Sequence, residues 1–353
     1  MLTMALSETD ISELKAITNR LCEIGKGILS VDEGTFQAAK KLSDVGLDAN
    51  QTSRRDYLEL LLTAPGLQDY ISGAILSEET IGLKTKDDTL FTDALLRQGV
   101  MTGIRVDQGM VELPGLPNDV FTIGLDLLSR RLADYKKKSA DFASWKTRFA
   151  IGSEVPSKVA IEANCHLLGI YALLSQQAGL VPMLDIRVSQ SGNHGLEESQ
   201  KVHATILRML FKTLSDYKVL LSCILLRITM VTPGASCDTK ASADDIAKST
   251  LEAMNAIIES DLPEPNEGDW RANIFFSDHT SDKQAAERLN RMYSIPHLYR
   301  LGISFCFDEF IEKDARELWA KNKTANFSEA QKLVTARAKE SHLATLGEWK
   351  AQS

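Results

Sequence analysis

Two spacings of apolar residues run through this chain. Short apolar runs of strand length are separated by longer stretches in which apolar residues recur every three or four positions, the spacing of one helix face. Ser7 to Glu23 has the second pattern, with Ile11, Leu14, Ile17 and Leu21 on one side. It leads into Gly25-Lys26-Gly27-Ile28-Leu29-Ser30-Val31-Asp32-Glu33-Gly34-Thr35, which reads as a glycine turn, an apolar strand and a carboxylate pair. Further helices are expected at Ala38 to Val45 (stopped by Gly46), Arg54 to Leu62, Leu125 to Lys138, Ser157 to Gln177 and Leu196 to Leu214. Ser242-Ala243-Asp244-Asp245 has the form of a capping box and opens another, running to about Glu259. A surface loop is expected from Asp261 to Asp269, where prolines and acids cluster.

The strand-like runs after the first are Ser72 to Glu79, Met101 to Gly109, Asp141 to Arg148, Leu180 to Arg187, Val219 to Leu226 (leading into Arg227), Ala272 to Phe276 and Leu301 to Phe307. The Val219 run is apolar enough for a strand buried on both faces, and Pro233-Gly234 punctuates it. Strands that alternate with helices favour a parallel sheet. Eight of them at this length favour a closed (βα)8 TIM barrel of the α/β class. One domain is expected over residues 1–353, with a mainly helical tail from about residue 325.

Composition narrows the function classes. The chain has 353 residues, is 44% hydrophobic and 25% charged, and carries a net charge of -8. That charge argues against general attraction to nucleic acid or anionic membrane, although local basic clusters could still hold an anionic metabolite. The five cysteines lack C-x-x-C or finger spacing, which suits buried free thiols in a reducing compartment. No apolar stretch approaches the ~20 residues of a membrane span, and Met1 to Ser7 has no leader pattern, so a cytoplasmic protein is expected. His166, His194, His203, His297 and His342 show no ligand spacing with carboxylates, so no metal or other cofactor is expected.

Lys136-Lys137-Lys138 reads as a solvated helix end, Trp145 as packing, and Cys223 and Cys306 as core thiols. The stretches Gly25 to Thr35, Arg54-Arg55 with Leu60-Leu61-Leu62-Thr63, Tyr135-Lys136-Lys137 and Met230 to Gly234 carry something more specific. Together with Leu225-Leu226-Arg227, they resemble the class I fructose-bisphosphate aldolases over roughly Glu8 to Trp349.

The resemblance implies a TIM barrel whose sixth strand carries an imine-forming lysine, within the family pattern L-L-K-P-N-M-V-T-P-G. Arg227 stands at that position. A guanidinium stays protonated in proteins and cannot form an imine, so an arginine there is expected to be a structural cation paired with Asp32 or Asp185. The resemblance further places Asp32 at the strand-one aspartate, Asp185 at the strand-five acid/base and Arg105 at a strand-three cation. Arg187 replaces a second strand-five carboxylate, Ser144 replaces the strand-four lysine, and Lys146 replaces an arginine. Lys146 is the candidate substitute amine.

For sugar-phosphate binding the resemblance points to Ser277, Lys41 and Thr35. However, Asp278-His279 and Asp308-Glu309 replace the family's glycines and arginine at the phosphate loops, Gly34 and Gln37 replace serines, and Ser353 ends the chain where the family has a tyrosine. The implied reading is an aldolase barrel with lost or impaired cleavage and a binding or scaffolding role. The alternatives are an active glycolytic aldolase using a relocated lysine, or a lyase on another carbonyl, with His279 as a new acid/base. By the same resemblance a homotetramer and a cytoskeletal or other protein partner are expected.

Overall fold

A computed structural model describes residues 6–258, 272–277, 284–296 and 301–350. Ten strands are present among them. Gly27–Ser30 (β1), Ile71–Leu76 (β2), Met101–Arg105 (β3), Phe142–Phe149 (β6), Val181–Val188 (β7), Leu225–Thr229 (β8), Ala272–Ser277 (β9) and Leu301–Phe307 (β10) form a closed barrel. Every neighbouring pair is parallel, and β1 pairs with β10 to close the ring. Met110–Leu113 (β4) and Leu116–Thr122 (β5) form a separate antiparallel hairpin that the sequence pattern does not announce.

The outer ring and flanks comprise Glu8–Leu21 (α1), Thr35–Ser43 (α2), Gln51–Leu62 (α3), Phe91–Gln98 (α4), Leu128–Lys137 (α5), Lys158–Gln177 (α6), Leu196–Asp216 (α7), Ala243–Ile258 (α8), Gln284–Ser294 (α9), Glu309–Lys321 (α10) and Phe327–Ala344 (α11). Short polar side chains fix several of their starts. Ser7 and Asp10 exchange bonds at the head of α1, and Ser242 and Asp245 do the same before α8. The tail helix ends at Ala344. The Asp261 to Asp269 loop and Asp278-His279 lie outside the described residues.

The strand period of two sorts side chains into two cores. Leu29, Ala74, Ile104, Trp145, Leu184, Ile228, Ile274 and Phe305 point outward and pack under the helices. Ile28, Ile75, Met101, Phe142, Val181, Met183, Leu225, Phe275 and Cys306 fill the barrel interior. Leu14 and Leu21 of α1 belong to this inner set, so α1 closes the end of the barrel at which the strands begin. The inner set is tightly filled: a Cβ on Gly103 would lie 2.3 Å from the Phe142 ring. The Val219 run is a strand only from Leu225; Leu221–Cys223 is a single 3-10 turn against α1.

Candidate active site at the barrel mouth

The inward parity set by the apolar floor continues to the C-terminal ends of the strands, where the inward residues become polar. Ser30 and Asp32 follow Ile28; Arg105 and Asp107 follow Met101; Ser144, Lys146 and Arg148 follow Phe142. Asp185 and Arg187 follow Met183, Arg227 follows Leu225, and Ser277 follows Phe275. Strand register sets Asp185 beside both Lys146 and Arg227, and Arg105 beside Ser144. Catalytic residues of TIM barrels sit at this end of the strands.

Arg227 is fully buried. It donates to Ser30 Oγ at 2.9 Å, to the Cys306 carbonyl at 3.2 Å and to Asp185 Oδ2 at 3.4 Å. Asp185 is also gripped by Arg187 through two bonds of 2.6 and 3.2 Å, so one carboxylate serves two guanidiniums. Burial alone would raise the Asp185 carboxyl, but Arg187, Arg227 and Lys146 hold it below the usual range.

Asp32 accepts from Ser30 Oγ, and Lys146 Nζ lies 3.8 Å from its second oxygen. Burial again opposes its charge, and Lys146, Arg227 and Arg105 outweigh burial and hold its carboxyl well below the ordinary range. Arg105 grips Asp107 at 2.9 and 3.0 Å and reaches the Asp32 carbonyl at 3.2 Å. Among the described residues, Asp32 Oδ2, Ser144 Oγ, Ser277 Oγ and Arg227 Nε are buried without a hydrogen-bond partner. Buried polar atoms are normally satisfied, so this is where a polar ligand or ordered water would bond.

The opposite rim is acidic. Asp308 caps α10 by accepting from Glu309 N at 2.7 Å, and Glu309 and Glu312 occupy its first turn. The positive end of the helix dipole thus already faces the protein's own carboxylates. Lys41 is held by Glu33, by Glu309 at 3.0 Å and by Glu312 at 2.8 Å. Arg316 binds Glu309 at 2.8 Å, and Tyr57 donates to Glu312 at 2.9 Å. Burial, with Glu33 adding to it against the pull of Lys41, pushes the Glu312 carboxyl up to about 7.

The candidate residues therefore divide. Asp32, Arg105, Lys146, Asp185, Arg227 and Ser277 share the mouth. Lys41 belongs to the acidic rim. Thr35 is not drawn in: its hydroxyl donates to Glu79 at 2.7 Å, and that carboxylate also holds Arg54. Sequence reasoning passed over Asp107, which organises Arg105 and accepts from Lys146 N at 3.1 Å, and Arg148. The period-two series Ser144, Lys146, Arg148 was the signal that could have revealed Arg148.

The pattern of the family described as "Glycolytic: Fructose-bisphosphate aldolase class-I" matches residues 13–353. The chain belongs to the class I fructose-bisphosphate aldolase family. It is 39% identical to a "Probable fructose-bisphosphate aldolase class 1" of Xanthomonas axonopodis pv. citri over 96% of this chain and 99% of that one. "Fructose-bisphosphate aldolase 4, cytosolic" of Arabidopsis thaliana is 35% identical over 93% of this chain and 81% of that one. A solved aldolase of Plasmodium falciparum, in complex with TRAP and a small-molecule inhibitor, superposes with a TM-score of 0.92 at 29% identity, covering 99% of this chain and 98% of that one.

Proposed function

We propose that this aldolase-family barrel no longer cleaves fructose 1,6-bisphosphate through an imine on its sixth barrel strand, and that it serves as a binding protein for phosphorylated ligands and protein partners. The supporting observation is Arg227: fully buried, bonded to Ser30, Cys306 and Asp185, and of a chemistry that cannot lose its proton to attack a ketone. The acidic rim at Asp308, Glu309 and Glu312 adds to this, because it sets repulsion where a second phosphate would need donors. A homo-oligomer and a protein partner belong to the same reading by family likeness. Exposed Leu127, Val111 and Ile123 around the β4–β5 hairpin offer apolar contact area.

Borohydride trapping with fructose 1,6-bisphosphate and with dihydroxyacetone phosphate, read by intact mass, tests it. No adduct is expected, and no cleavage in a coupled assay; turnover at the rate of a parallel aldolase would refute the reading. One observation favours a second reading. Lys146 is the lysine that the inward parity brings to the mouth, a primary amine 3.8 Å from Asp32. An adduct mapped to Lys146 would establish that relocated amine.

A further inference from the structure

We infer that Thr229, His203 and His194 form an acid-released clasp that ties the loops after β7 and β8 to α7 beside the mouth, closed while both imidazoles are neutral and opened when they take up protons. These loops follow the strands that carry Asp185, Arg187 and Arg227. The clasp belongs to the fold and is independent of the ligand that the mouth takes.

Three elements meet at Thr229. Its hydroxyl accepts from Val188 N at 3.0 Å and donates to the Val188 carbonyl at 3.3 Å, which ties β8 to the end of β7. Its own carbonyl lies 3.1 Å from His203 Nε2, which ties β8 to α7. Beyond it the two loops are zipped together. The backbone N–H groups of Ala235, Ser236 and Gly234 donate to the carbonyls of Gln190, Gly192 and His194 at 2.8–2.9 Å.

The proton count at His203 makes this joint sensitive to acid. The side chain is 1% exposed, and both ring nitrogens face carbonyl oxygens, Ser199 at 2.7 Å and Thr229 at 3.1 Å. A neutral imidazole has one N–H and can donate to only one of them. A second proton would serve both carbonyls, but as a charge buried away from water. Burial outweighs the two carbonyls and, with His194 adding to it, holds the His203 ring down at about 4. His194 is itself buried, and burial keeps its ring below the ordinary value against the pull of Glu198 and of the Thr232 backbone. Among the described residues, no lysine, arginine or carboxylate of α6, α8 or β8 acts on the His203 ring. Both rings bind a proton less readily folded than unfolded, where the value is about 6.5. The clasp is therefore at full strength above about pH 6.5 and weakens as pH falls toward 4.

Hydrogen exchange of the full chain between pH 8 and pH 5, read by mass spectrometry and corrected for intrinsic exchange rates, tests this. Protection in peptides spanning 188–204 and 229–237 should fall by about tenfold or more at pH 5, while peptides of α3 keep theirs. His203→Gln, which keeps an uncharged donor, should largely remove that dependence. A titration of wild type with 13C-labelled histidine needs no variant: of the six histidines, one ring should stay neutral until pH nears 4. All six rings titrating above about pH 5.5, an equal loss of protection in α3, or an unchanged pH dependence in His203→Gln would each overturn the clasp.

Discussion

Replacing Arg227 by methionine removes a fully buried cation with two hydrogen bonds and one ion pair, while keeping a side chain of comparable length. Bonds from a charged donor contribute about 1.5–3 kcal/mol each, and breaking a buried ion pair costs about 3–5 kcal/mol. Asp185 keeps its two bonds from Arg187, which pulls the expected loss toward about 3 kcal/mol, within that range. Urea unfolding at neutral pH measures it as a lower midpoint at unchanged slope. Asp185→Asn made alone and in the Arg227→Met background should show coupling of about 1–3 kcal/mol.

The penalty also carries a pH signature. The folded Asp185 carboxyl sits below its unfolded value of about 3.9, so its pairs contribute stability that is present above that value and lost as pH falls. The gap between wild type and Arg227→Met should therefore be full at neutral pH and narrow as pH falls below about 4. A variant within about 0.5 kcal/mol of wild type at neutral pH would refute the claim that Arg227 is a structural cation.

Three further outcomes follow from other parts of the molecule. The Glu312 carboxyl is raised to about 7, so the folded state binds the extra proton and stability falls as pH rises from its unfolded value toward 7. Glu312→Gln should remove that dependence; at about 1.4 kcal/mol per pKa unit the relative gain reaches at most about 3–4 kcal/mol by pH 8, and thermal melts across pH 5–8 would show a flat difference if the reasoning fails. Gly234→Ala would set a Cβ 2.3 Å from the Gly192 carbonyl, a backbone atom that cannot swing away. It should lower the urea midpoint and speed proteolysis in the loops after β7 and β8, whereas a wild-type digestion pattern would contradict the contact. Ser7→Ala, which removes the reciprocal cap of α1, should lower stability by about 1 kcal/mol in the same urea assay.

The barrel was legible because its strands are buried on both faces where they begin and therefore apolar there, and because glycine, proline and capping residues punctuate them. Elements without such contrast were not. The β4–β5 hairpin is half exposed and carries Glu112, Asn118 and Asp119, so neither a buried run nor clean alternation marks it. The start of α10 was hidden because Asp308-Glu309 looked like the end of a strand, when Asp308 is in fact the helix cap. At the site, residues of one parity on neighbouring strands come together. Thr35 did not, because it lies in the first turn of α2, where Glu79 takes its hydroxyl. The network around Glu312 joins α2, α3 and α10, segments distant in sequence, and no local pattern reports such a meeting.

The α1 plug has a consequence for how the chain acquires its fold. Leu14 and Leu21 share the inner set with Phe275 and Cys306, and Ile28 pairs with Cys306. The first segments made on the ribosome thus wait for nearly the last, and both the ring and its floor close in a late step. Such distant contacts slow folding, because loop-closure entropy is lost before the contacts form. During synthesis the open edge of β1 stays unpaired until β10 emerges, which makes this edge the place where a nascent chain would need a chaperone.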